Sequence, residues 1–327
     1  MPLLNPPDIL PEAMRFLVRA ILASSGRQLP RDELLAMVAP TGLVEAMDSL
    51  GADAEGLSGD DSDLHTGGLQ IARASLSALR TLGFVEFSGD AVAATSELDD
   101  WKSYRKGTAT AFSHLLLNAF VARAAESTSP DGEGVGDLRD ALGILYSSED
   151  PLWPVSTFEA GRDTARRAFG DEQRKRLGDD RGRWPIPNRE QYMTFTRWGP
   201  YLGLVRPVGS NGLIADASVA LRALLPTDLA GELGVAEFVA VCARALPLLD
   251  GGSMHSHFDV EESGGHAVLS PVMSITMLQL EEEGLVSLKR LSDVGLRTIR
   301  TSASGVNDRA ISHVTWTGQS RGKGRKS

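Results

Sequence analysis

One cysteine, Cys242, stands in 327 residues, so no disulfide closes within the chain and a reducing, cytoplasmic setting is the expectation. No apolar run approaches the ~20 residues that a membrane span needs. The opening Met1-Pro2-Leu3-Leu4-Asn5-Pro6-Pro7 lacks the basic start and apolar stretch of a secretory signal, so no membrane partner is expected.

Recognisable catalytic sets are missing as well. Gly322-Lys323 superficially suits a phosphate-binding loop, but Thr317 stands where that loop needs glycine and Gly324 where it needs Ser or Thr for magnesium. No paired-glycine dinucleotide fingerprint follows a strand, no Gly-x-Ser-x-Gly elbow occurs, and the scattered acids define no nuclease. His255, His257 and His266 offer a His-x-His pair plus a third imidazole, a conceivable zinc set. No Cys-x-x-Cys supports them and the nearby acids belong to a Gly-rich connection, so neither metal nor cofactor is expected.

What the chain does contain is a pattern used three times. Leu79-Arg80-Thr81-Leu82-Gly83-Phe84-Val85, Tyr201-Leu202-Gly203-Leu204-Val205 and Leu280-Glu281-Glu282-Glu283-Gly284-Leu285-Val286 each run from helical spacing through a glycine into an apolar pair. A glycine there suits a left-handed helix C-cap, and the following β-prone runs read as hairpins. Helices ending in such a hairpin make the winged form of the helix-turn-helix unit. With 42% hydrophobic residues, the length supports two or three cores.

The expected architecture is mainly α with small β-hairpins, an α+β chain of tandem winged helix-turn-helix units. Residues 1–98 form the first, with an insertion at 45–63 that carries seven acids and no base; 99–232 form a second with extra helices; 233–318 form a third; 319–327 are a basic tail. Within the second, the periodicity predicts helices over Thr108–Ala125, Asp137–Tyr146 and Phe158–Leu177, and one opened by Asn188 with Gln191 at capping-box spacing. The aromatics Trp184, Tyr192, Phe195, Trp198 and Tyr201 are read as core. In the third, Val235–Leu249 reads as a helix, with Cys242 a small apolar filler.

Net charge is −10, which argues against nucleic acid, but its distribution does not. From Ser287 to Ser327 nine Lys or Arg face two acids, a +7 end on a body of −17. Candidate DNA contacts follow from this. In the first unit, Gln70, Arg73, Ser77 and Arg80 fall on the outward face of a helix from about Thr66 to Leu82, and Gln and Arg make paired hydrogen bonds to purine edges. Arg162 and Arg166, four apart, share a face in the second. In the third, the helix opened by Ser270-Pro271 shows an outward face of Met273, Ser274, Met277 and Glu281 without positive charge, so phosphate contacts are assigned to the wing at Lys289, Arg290, Arg297 and Arg300.

The opening Leu3-Leu4-Asn5-Pro6-Pro7-Asp8-Ile9-Leu10-Pro11, with the winged units that follow, resembles the DpdG family of bacterial proteins. These are encoded in islands that place 7-deazaguanine bases into DNA and restrict unmodified DNA. The resemblance implies a non-enzymatic or unassigned partner of helicase-like and nuclease-like neighbours, and it supplies no catalytic residues. Duplex DNA and other proteins of a modification and antiviral defence system are therefore the expected partners. A protein-interaction scaffold that does not touch DNA is the alternative.

Overall fold

In the computed structural model of the chain, the described residues are 2–4, 8–38, 62–99, 101, 108–126, 134–148, 152–159, 167–209, 212–226, 229, 231–255, 268–291, 295–300 and 308–317. They form an α+β fold with ten α-helices and four small sheets, and none of these helices is long and apolar enough to cross a membrane. Contacts divide the chain into two compact units, Met1–Arg123 with Ser129–Asp137, and Ala124–Thr128 with Leu138–Ser327.

In the first unit α1 (Pro11–Ala23) buries Met14, Leu17, Val18, Ile21 and Leu22, the apolar stripe that its sequence spacing predicts. A short strand β1 (Gln28–Pro30) follows, then α2 (Arg31–Val38), α3 (Ser62–Thr81), β2 (Val85–Ser88) and β3 (Ala91–Ala94). α1 packs on α2 and α3, and the sheet has the order β1-β3-β2, all antiparallel. α4 (Ala109–Glu126) comes next, where Phe112 packs against Trp101 with ring centres 5.2 Å apart. The acidic insertion lies almost wholly outside the described residues; Ser62 and Asp63 already belong to α3.

The second unit holds two variants of that order, one with an added strand and one with an added strand pair. α5 (Gly136–Tyr146), whose first two residues belong to the first unit, leads to β4 (Val155–Thr157) and β5 (Arg167–Ala168). Then come α6 (Phe169–Leu177), α7 (Arg189–Tyr201), β6 (Val205–Val208) and β7 (Gly212–Ala215), with sheet order β5-β4-β7-β6. Next follow α8 (Ser218–Leu224), β8 (Gly231–Gly234), α9 (Val235–Ala245), α10 (Pro271–Glu282), β9 (Val286–Lys289), the pair β10 (Arg297–Ile299) and β11 (Arg309–Ile311), and β12 (His313–Trp316). β12 lies between β8 and β9. In the first and last segments the strand ahead of two helices pairs with the last strand of the hairpin that follows; in the middle one β5 intervenes, and it is β4 that pairs with β7, at Val155 and Leu213.

The three glycines carry the recurrence. Gly83, Gly203 and Gly284 have φ of 82°, 71° and 72°, left-handed values that glycine adopts without steric cost. After each, the next residue's N–H donates to the carbonyl five residues earlier: Phe84 to Leu79, Leu204 to Gly199, and Leu285 to Leu280, at 2.9, 3.0 and 2.9 Å. This is the Schellman arrangement, which satisfies carbonyls that a helix end leaves free. Thr95 and Thr317 close the first and last hairpins alike, each hydroxyl donating to the cap glycine's carbonyl at 2.6 and 2.9 Å.

Several sequence expectations are corrected. The segment 158–177 is not one helix: Phe158 is a bend, Arg167–Ala168 pair with β4, and only Phe169–Leu177 is helical. α9 ends at Ala245 rather than Leu249, with Leu246 extended ahead of Pro247, which cannot donate to a continuing helix. The face of α10 read as outward is interior, since Met273, Ser274 and Met277 are each 0% exposed. The neighbouring Thr276 Oγ1 accepts from Ala217 N at 3.1 Å, and Ser274 Oγ accepts from Arg300 N at 3.0 Å, so long-range partners satisfy α10's polar residues. The core reading of the aromatics holds for Trp184, Tyr192, Phe195 and Trp198, all buried, while Tyr201 is half-buried.

Candidate nucleic-acid interface

On α3 the buried residues Ala72, Leu76 and Leu79 turn inward, which leaves Gln70, Arg73 and Arg80 exposed and Ser77 half-buried. Gln70 is not idle: its Nε2 donates to Asp8 Oδ2 at 2.6 Å. Arg80 occupies the last turn of α3, and its guanidinium lies over Phe87 of β2, 5.1 Å from the ring centre. Arg31, which the sequence did not single out, lies over the same ring at 5.6 Å. It is the first residue of α2, and its backbone N–H donates to Asp90 O in the β2–β3 turn at 2.7 Å. The start of α2, the end of α3 and the hairpin thus meet at one aromatic ring.

The last hairpin is differently wired. Lys289 Nζ lies 2.7 Å from Glu232 Oε2 across the β8-β12-β9 sheet, and the hydrogen bond from Lys289 holds the Glu232 carboxyl below its ordinary value. Arg309 reaches both carboxylate oxygens of Glu281 and donates to Leu288 O at 2.7 Å. Arg290 is exposed; Arg297 and Arg300 are half-buried, with Arg297 Nη1 donating to Leu296 O at 3.2 Å. The structure therefore gathers Lys289, Arg290, Arg297 and Arg300 on the last hairpins, and one of them already holds a carboxylate. Ion pairs of this exposed kind exchange readily for another anion, because their net worth is small in water.

Arg162, Arg166, the basic tail, His257 and His266 lie outside the described residues. His255 approaches Leu248 O at 3.2 Å through Nδ1, and its Nε2 is 3.9 Å from Asp250 Oδ1. Asp250 in turn accepts from Ser270 N and Ser270 Oγ, and so fixes the cap of α10. No group of three potential metal ligands occurs among the described residues. Cys242 is buried, and burial pushes its thiol up, away from the nucleophilic thiolate.

The described residues thus hold helical segments closed by small sheets, with exposed arginines on α3 and after β9. A family model described as DpdG-like matches residues 1–294, and the chain belongs to that family. Membership points to a 7-deazaguanine modification system and to other proteins of that system as partners. Neither the curated proteins nor the solved structures include a match to the chain.

Proposed function

We propose that the chain is a cytoplasmic, non-catalytic component of a bacterial DNA modification and antiviral defence system that contacts duplex DNA. In this reading its three recurrent helix–hairpin segments are winged helix-turn-helix units, with boundaries near 1–98, 99–232 and 233–318. The observation that carries it is a recurring arrangement in which an early strand pairs with the last strand of a hairpin that follows two helices, with β5 added in the middle segment and β10–β11 inserted in the last. Cations on α3 and around the last hairpins supply charge for phosphate contacts, Arg73 and Arg80 beside the neutral Gln70 in the first unit and Lys289, Arg290, Arg297 and Arg300 in the third. Arg162 and Arg166 remain candidates of the same kind. Replacing the four wing cations by Ala is expected to flatten the dependence of log affinity on log salt by up to about 3.6, at ~0.9 per lost contact. Unchanged binding in that variant contradicts the wing assignment.

A second reading has its own observation. The face of α10 that would enter a groove is buried, and Lys289 is paired with Glu232, which favours protein docking by the third unit. Winged modules serve both purposes, so the site must decide. Co-purification with a protein of the same system in high salt, without nucleic acid, supports that scaffold role.

A further inference from the structure

We infer that Arg31, Phe87 and Arg80 form a preorganised clamp for the phosphodiester backbone on the first unit; the inference rests on the duplex-binding reading above. Two guanidinium groups share one ring, at 5.6 and 5.1 Å from its centre. A guanidinium held near a ring face by cation–π attraction keeps N–H donors for hydrogen bonds, which suits bidentate recognition of phosphate. Both side chains are exposed, and among the described residues neither is ion-paired. Elsewhere on a body of this negative charge, Lys289, Arg309, Arg222, Arg181 and Arg174 hold carboxylates.

Their backbones are pinned as well. Arg31 N donates to Asp90 O at 2.7 Å, and Arg80 O accepts from the cap residue Gly83 at 2.9 Å. Little conformational freedom is then lost when an anion arrives, which is the thermodynamic advantage of a preformed site. The array also has direction. Arg73 stands seven residues before Arg80 on α3, about 10 Å along a helix axis, and a row of cations over that distance matches a linear polyanion better than a single anion.

The test uses the full chain, a short fluorescein-labelled duplex and anisotropy between about 50 and 200 mM salt, the range over which phosphate contacts are most visible. Arg31→Gln with Arg80→Gln keeps size and polarity, and far-UV circular dichroism verifies folding. The expected result is a salt slope flatter by about 1.8, two contacts' worth. Phe87→Leu retains both charges and is expected to weaken binding several-fold with the slope kept. Wild-type binding with an unchanged slope in the double variant, or wild-type affinity in Phe87→Leu, overturns the clamp and leaves duplex binding elsewhere on the chain intact. No binding by the wild type at the lowest salt overturns both. Displacement by poly-L-glutamate as readily as by unlabelled duplex at equal charge overturns the assignment to nucleic acid and gives the clamp to acidic protein segments.

Discussion

Lys289 Nζ lies 2.7 Å from Glu232 Oε2, which joins the strand that opens the last repeat to the strand that begins its hairpin. A cation proposed to meet DNA is thereby held ready but occupied. Glu232→Gln removes the competing carboxylate and is expected to strengthen duplex binding and steepen its salt slope by up to about 0.9. Little change in melting temperature should accompany it, since the pair is exposed to solvent. Weaker binding in this variant would show that Lys289 must be held in place rather than released.

Asp137 anchors the start of the chain. Its carboxylate accepts from Leu3 N at 3.0 Å and also from Leu4 N, and both leucines are fully buried. Asp137→Ala leaves two buried donors unsatisfied, each costing about 1–3 kcal/mol, so a loss of about 2–6 kcal/mol is expected in urea unfolding. An unchanged transition midpoint would mean that the opening residues contribute nothing to the first unit's stability.

The recurrent glycines are not equivalent. A Cβ on Gly284 meets nothing within 4 Å, whereas on Gly203 it falls 2.6 Å from Val219 Cγ1 and 3.1 Å from Ala220 N. Gly284→Ala is expected to cost only the left-handed strain of about 1–2 kcal/mol. Gly203→Ala adds an overpacking cost of about 1–3 kcal/mol. Thermal denaturation of the two variants should rank them in that order; equal losses would contradict the close packing of Gly203 on α8.

Much of this architecture could be read in the sequence because glycine at a helix end states a conformational requirement locally. Gly83, Gly203 and Gly284 announce their caps, and Asn188 announces α7, where its Oδ1 accepts from Gln191 N at 2.9 Å. Ser270 does the same for α10, accepting from Met273 N at 3.2 Å. The strands β1, β4 and β8 were illegible because three or four residues such as Gln28-Leu29-Pro30 show no alternation. They become strands only by pairing with distant partners, as Gly234 does with His313. α10 misled for a related reason. Ser274 looks like a solvent-facing polar residue until Arg300 N, far away in sequence, hydrogen-bonds to it, as Ala217 N does to the neighbouring Thr276. At the candidate interface, charge was legible but pairing was not: neither Glu232 beside Lys289 nor Arg31 beside Phe87 is signalled by spacing.

Ionisation gives a test of the second unit. Burial raises the phenols of Tyr146 and Tyr192 above the ordinary 10.0, and Tyr146 donates to Leu204 O at 2.8 Å. Burial likewise raises the Cys242 thiol above 9.0. A raised folded-state pKa means that the unfolded chain releases the proton first as pH rises. Stability contributed by these groups is complete below the unfolded values, and falls above pH 9.0 for Cys242 and above pH 10.0 for the tyrosines. Two of the four tyrosines should therefore gain phenolate absorbance only as the second unit unfolds. Free titration of all four in a folded chain would contradict their burial.

The most direct measurement is the affinity of the intact chain for a short duplex as a function of salt. Engagement of the cations around Arg31 and Arg80 and of the last hairpins predicts a linear fall of log affinity with log salt at a slope of about −2 or steeper. Absence of binding at about 50 mM salt, or binding whose strength does not respond to salt, would contradict contact with the DNA backbone.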